Sequence, residues 1–216
     1  EGFLLRLKER DEENLVMVSS ITGPENVMME AHSWSTRRGR GEKRSLYDGG
    51  INVPFWFQNF NGGWEKITNG KGNVNSVDIL PTIMGLLNFA VDENIELNGI
   101  DAQNALFEKN PTNLPTRSQV QVWEWRHAFV GLPRGDAPRF AILDYPYKLM
   151  YEPDGSITTD NTLNLPPKRL ELYDLSWGEY ELMDLSNTKI DDSTDQQLTD
   201  KIDELLTTLK TWITTK

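Results

Sequence analysis

Five of the eight residues from Arg37 to Arg44 are cationic, in the run Arg37-Arg38-Gly39-Arg40-Gly41-Glu42-Lys43-Arg44, and the chain then turns through Ser45-Leu46-Tyr47-Asp48-Gly49-Gly50-Ile51-Asn52-Val53-Pro54. Cations this dense can gather around the oxygens of an anion. A lysine among them supplies a compact, mobile positive charge that suits a departing oxygen, whereas an arginine grips with a planar fork. The other reading of such a run is a solvated basic turn. A nucleotide phosphate loop does not fit, because no glycine precedes Lys43 and Arg44, not Ser or Thr, follows it. His32 lies just before the run and His127 just after a tryptophan-rich stretch; with only two histidines, a multi-histidine metal centre is excluded. Both remain candidates for substrate contact, and so does Arg126, for which a structural ion pair is the alternative. Trp123 and Trp125 share a strand face, suited to packing against the last helix or to stacking on a sugar. Trp64, in a glycine-flanked loop, is a weaker stacking candidate.

The rest of the chain is acidic. Its 216 residues carry 22 basic and 33 acidic side chains, a formal charge of −11. That balance argues against nucleic acid as a partner, since neutralising phosphates needs a broad basic face. The absence of cysteine excludes disulfides and thiolate metal sites. No apolar run reaches the roughly 20 residues of a membrane span, so no membrane partner is expected. Residues 2–10, with Leu4, Leu5 and Leu7 among Arg6, Lys8 and Arg10, read as the middle of an amphipathic helix. That start implies the C-terminal part of something longer.

These residues must be positioned by recognisable elements. Leu15–Ser19 has the length and composition of a buried strand, and Ile51–Phe57 reads as a second. Ser20–Gly50 is too long and polar for an ordinary connector. Residues 75–87 predict a helix capped by Ser76, with Pro81 near its first turn and Val77, Leu80, Met84 and Leu87 as its apolar stripe. A boundary falls in the polar stretch 108–118. Beyond it, Val120–Arg126, Arg139–Tyr145, Tyr147–Glu152 and Arg169–Leu175 predict an antiparallel meander, with a turn at Pro153-Asp154-Gly155-Ser156. A last helix carries Leu198, Ile202, Leu205, Leu206, Leu209, Trp212 and Ile213 on one face, which must cover the sheet. Glu171, Asp174 and Asp184 read as solvated or capping groups, and Asp191 to Asp195 as acids favoured at a helix start.

Four landmarks now stand in order: Gly23-Pro24-Glu25 after a strand; Arg40 to Pro54; Ser76-Val77-Asp78-Ile79-Leu80-Pro81-Thr82 with Leu97-Asn98-Gly99-Ile100; and Trp123-Glu124-Trp125-Arg126, Tyr147-Lys148-Leu149-Met150 and Glu171-Leu172-Tyr173-Asp174-Leu175. Together they resemble the C-terminal portion of the sulfatases, closest in pattern to N-acetylgalactosamine-6-sulfatase-like enzymes and bacterial polysaccharide sulfatases. The resemblance implies an α/β fold: the end of an alkaline-phosphatase-like α/β domain, then a small antiparallel four-stranded sheet packed on a C-terminal helix. Residues 1–107 would finish the catalytic domain and residues 118–216 form the subdomain.

The resemblance also implies chemistry. Members of the family attack the sulfur of a sulfate ester with a hydrated formylglycine, while calcium and several cations hold the sulfate oxygens. Lys43 matches the lysine that contacts the sulfate, with Arg40 or Arg44 as its support. The substrate would be a sulfated carbohydrate, the location periplasmic or extracellular, and the partner an upstream half of the same protein. Two departures stand out. The formylglycine segment is absent, so this chain alone is expected to be inactive. Ile21 and Thr22 occupy the positions where the family places an Asp and an Asn on calcium. Ile21 offers no oxygen and Thr22 only a neutral hydroxyl, which makes calcium binding doubtful. A degenerate, non-catalytic homologue that binds sulfated glycans or a partner protein is therefore the alternative. A phosphodiesterase with a two-metal site would need histidines the chain lacks.

Overall fold

The computed structural model describes residues 14–20, 23, 41, 43, 45–60, 74–90, 92, 94–107, 117, 120–125, 138–154, 167–177, 181, 183–187 and 192–215. The helix expected over residues 2–10, the acid at Asp191, Trp64 and the glycine of the 153–156 turn lie outside them. The contacts gather into two compact units, one of Glu1–Val18 with Phe55–Gln119, the other of Ser19–Pro54 with Val120–Lys216. Gly41, Lys43 and Ser45–Pro54 thus belong with the C-terminal sheet.

In the first unit, β1 (Asn14–Ser19) pairs with β2 (Phe55–Phe60). β2 starts later than its apolar run predicts, because Ile51 closes a short helix, α1 (Asp48–Ile51), that belongs to the second unit. The Asn52 N–H donates to the Asp48 carbonyl at 2.8 Å, which finishes that turn. Pro54 then lacks the N–H a ladder would need, and the strand begins at Phe55. A 3₁₀ turn (Ser76–Asp78) leads into α2 (Ile79–Leu86), and α3 (Gln103–Phe107) follows.

The cap of the 3₁₀ turn is Asn75, where Ser76 was expected. Asp78 reaches back to accept the Asn75 N–H at 2.7 Å, and the Ser76 hydroxyl donates to Asn75 Oδ1 at 3.1 Å. The predicted apolar stripe also faces the other way: Val77, Leu80 and Leu87 are exposed, while Asp78, Pro81 and Thr82 are buried. Hydrogen bonding explains the orientation. Asp78 accepts the Ile100 N–H at 2.9 Å and a two-pronged contact from Arg117, and Thr82 Oγ1 accepts the Ala102 N–H at 3.0 Å. Gly99 permits this approach, since a Cβ there would stand 1.9 Å from the Val77 carbonyl oxygen.

The second unit is built on the predicted meander. β3 (Gln121–Glu124), β4 (Phe140–Asp144), β5 (Tyr147–Pro153) and β6 (Pro167–Asp174) lie in that order, all antiparallel. Val122, Ile142, Leu149 and Leu172 align across the four strands, and α4 (Asp192–Thr214) covers that row. The seven residues predicted for the covering face, Leu198 through Ile213, all join this core.

Alternating strands suggest one solvated face, yet Ala141, Met150 and Lys148, on the face away from α4, are at most 1 % exposed. Leu46 and Tyr47, from the segment that leads into α1, pack there on Ala141, Met150 and Tyr173. Trp123 and Trp125 pack on this second cluster, not against the last helix as expected, because Trp123 pairs with Ala141 in the ladder.

The two units predict separate failures. Leu205→Ala in α4 should cost about 3 kcal/mol of unfolding free energy through the cavity it leaves. Asp78→Ala should cost about 2 kcal/mol by removing the acceptor of the Asn75 and Ile100 N–H groups and of Arg117. Urea unfolding followed by circular dichroism measures both.

Candidate functional site

The second face of the sheet carries polar rows where an ordinary core would be apolar. Gln121, Leu143, Lys148 and Tyr173 form one cross-strand row; Trp123, Ala141, Met150 and Glu171 form the next. A strand repeat of two residues puts each row on the side away from α4. The residues that follow the basic run close over these rows and neutralise them.

Two ionic clusters make the closure. In the first, Lys148 Nζ donates to Asp48 Oδ1 at 2.8 Å and to Glu181 Oε1 at 2.5 Å, and Glu181 Oε2 accepts the Asp48 backbone N–H at 2.9 Å. The side chains of Lys148 and Glu181 are 1 % and 0 % exposed. In the second cluster, Glu171 accepts from Tyr47 at 2.6 Å, Tyr173 at 2.7 Å and Arg169 Nε at 2.6 Å. The expectation that Glu171 is solvated or capping is therefore corrected: it is 5 % exposed and satisfies two buried phenols. Asp184 does act locally, accepting the Leu172 and Ser186 N–H groups, and Asp174 accepts that of Ser176.

Burial raises the Glu181 carboxyl to about 7; the Lys148 ammonium opposes that shift and the Asp48 carboxylate adds to it. One ammonium between two carboxylates leaves a net negative charge in a low dielectric, and a proton on Glu181 removes it. Burial pushes Glu171 the same way, but the hydrogen bonds from Tyr47, Tyr173 and Arg169 prevail and hold it below its ordinary value.

Glycines allow the backbone approaches at this site. Gly23 donates its N–H to the Gly50 carbonyl at 2.9 Å, and a Cβ on Gly23 would stand 1.9 Å from the Gly49 oxygen. Gly41 has φ +85°, and a Cβ there would meet Ser45 Oγ at 2.4 Å and Tyr47 Cβ at 2.9 Å. The chain from Gly41 to Tyr47 therefore doubles back on itself, with Lys43 in the turn and partly exposed.

Of the residues singled out in the sequence, Lys43 is placed in this way. His32, Arg40, Arg126 and His127 lie outside the described residues, as do Ile21 and Thr22. Sequence reasoning missed Lys148, Asp48 and Glu181 as a cluster, since their alignment depends on ladder register. Two donors on the same edge of the sheet, Trp125 Nε1 and Arg139 Nε, are buried and unmatched. Among the described residues no group of His, Asp or Glu side chains is arranged to hold a metal ion. No helix among them is long and apolar enough to cross a membrane.

No protein-family model matches the chain, and no curated protein does. Its fold is similar to that of a sulfatase from Bacteroides thetaiotaomicron designated 6S-sulf and described with the metabolism of multiple glycosaminoglycans. That likeness has a TM-score of 0.60 and 18 % identity, over 97 % of this chain and 40 % of that one. A second protein from the same organism, designated 4S-sulf, aligns at TM-score 0.49 and 19 % identity over 96 % and 38 % of the two chains. The chain spans about two-fifths of the length of these structures. The first likeness establishes the fold, the C-terminal part of a sulfatase-like α/β architecture.

Two outcomes follow from this geometry. Gly23→Ala should destabilise the second unit, read as a lower urea midpoint for α4 helicity. Because the folded Glu181 carboxyl titrates above its ordinary value of 4.5, its contribution to stability is full below that value and is lost as pH rises through about 7. Glu181→Gln should thus gain urea midpoint relative to the parent between pH 4.5 and 7.5.

Proposed function

We propose that this chain is the lysine-bearing C-terminal portion of a sulfatase that hydrolyses sulfate esters, those of a carbohydrate, with Lys43 contacting the sulfate. The observation that carries this reading is the anchored turn: Lys43 stands between Gly41 and Tyr47, and Tyr47 and Asp48 are fastened to the sheet. The sulfatase-like fold supports it. An ammonium at that place would neutralise the sulfate oxygens and the alkoxide that leaves when the sulfur–oxygen bond breaks. Arg40, Arg126, His32 and His127 are proposed as further contacts to substrate.

The attacking group is not among these residues, and on this reading it comes from an upstream half carrying the formylglycine. Val77, Leu80, Leu87 and Phe89, all exposed apolar side chains of the first unit, favour a covering polypeptide of that kind. The calcium expected of the family does not fit the donors here, a hydrocarbon at Ile21 and a neutral hydroxyl at Thr22. That mismatch favours a second reading, a non-catalytic homologue that binds sulfated glycans or a partner protein. A periplasmic or extracellular location accompanies either reading.

Isothermal titration of the chain with a chondroitin sulfate oligosaccharide tests the shared premise. Lys43→Met should weaken binding about 10-fold, the loss of one charge-assisted contact; an unchanged affinity would remove Lys43 from the site. The chain alone should show only background hydrolysis of an aryl sulfate. Joined to a complete upstream half, activity that appears only with Ile21→Asp and Thr22→Asn together would favour the non-catalytic reading of the natural sequence.

A further inference from the structure

We propose that Lys148, Asp48 and Glu181 are positioning residues: they fasten the end of the basic segment to the sheet and thereby set where the Lys43 ammonium stands. The fastening rests on the described contacts alone. Its consequence for Lys43 rests on the sulfate-ester reading above.

The three residues come from distant parts of the chain, with Lys148 separated by 100 positions from Asp48 and by 33 from Glu181. They meet where β5 faces α1. Apolar contacts would have sufficed for cohesion, as Ala141 and Met150 demonstrate one row away. A buried ion pair of this kind is seldom the most stable filling for such a space; what it adds is a single permitted register. An apolar face tolerates sliding, but an ammonium between two carboxylates does not, because any shift strands a charge without water.

The register reaches Lys43 through a short and closed path. Asp48 donates its N–H to Glu181 and accepts from Lys148, so both its backbone and its side chain are held. Tyr47, its neighbour, is held by Glu171 through the phenol. The Tyr47 N–H donates to Ser45 Oγ at 3.1 Å, and Gly41 lies against both Ser45 and Tyr47. Lys43 lies between them, so fixing Tyr47 and Asp48 fixes one end of the turn that presents it, and the other end, at Gly41, lies against that fixed end. Residues that touch no substrate would in this way determine how well Lys43 meets a sulfate.

Hydrogen exchange measured by mass spectrometry on the whole chain tests the fastening, with peptides of Ser45–Asn52 as the reporter and α4 as the control for global unfolding. Lys148→Met should accelerate exchange over Ser45–Asn52 by about 10-fold at pH 8 and leave α4 unchanged. Lys148→Arg should restore part of the protection. The pair Lys148→Met with Glu181→Gln should also restore part of it, since one of two facing carboxylates is then gone; a merely steric role for Lys148 predicts no such rescue. Should Lys148→Met fail to fold, Asp48→Asn reports on the same peptides. Unchanged exchange over Ser45–Asn52 with an intact α4 overturns the fastening. Titration with the chondroitin sulfate oligosaccharide then tests the consequence: Lys148→Met should weaken binding about as much as Lys43→Met does, about 10-fold. Faster exchange with undiminished affinity overturns the positioning of Lys43. Faster exchange in a chain whose parent form does not bind the oligosaccharide leaves the fastening standing and refutes the sulfate-ester reading.

Discussion

A charged side chain can be buried in a sheet only if its partners are brought to it, and Lys148 imposes that condition on the second unit. Its ammonium lies within a buried face that also holds Ala141, Met150, Tyr173, Gln121 and Glu171, at 1 % exposure. Left unpaired there, it would be far more costly than any single core contact could offset. Asp48 and Glu181 meet the requirement, and meeting it draws two separate stretches of chain onto one surface. The second layer of the sheet follows from this condition. Leu46 and Tyr47 bury apolar area against Ala141, Met150 and Tyr173, but the charges decide the place at which they do so.

The same condition accounts for the local sequence around α1. An aspartate at the first helical position can offer its carboxylate to Lys148 while its N–H meets Glu181. Gly23 sends its N–H to the Gly50 oxygen, and a side chain on Gly23 would collide with the Gly49 carbonyl. Gly23 and Asp48-Gly49-Gly50, which look like separate sequence features, are thus two sides of one backbone contact.

Much of this fold was legible in the sequence because periodicity is local. The meander and the covering face of α4 follow from repeats of two and of 3.6 residues, and Leu198, Leu205 and Leu209 lie where those repeats put them. Errors arose where a partner outside the element decided the outcome. Val77, Leu80 and Leu87 make a good apolar stripe, yet Asp78 and Thr82 turn the helix by bonding to Ile100 and Ala102. Ile51 has strand propensity, but the turn closed on the Asp48 carbonyl keeps it helical. Glu171 has the composition of a solvated acid; only the placement of Tyr47 above it reveals a buried acceptor. Lys148, Asp48 and Glu181 were not legible as a cluster, because no local spacing joins them.

The fixed charges sit at the root of the turn, under Tyr47 and Asp48, where water is excluded. Lys43 stands a few residues away, partly exposed, on a turn closed by Gly41 and Ser45. Any displacement of Asp48 from Lys148 would be felt at Tyr47 and, through Ser45 and Gly41, at that turn.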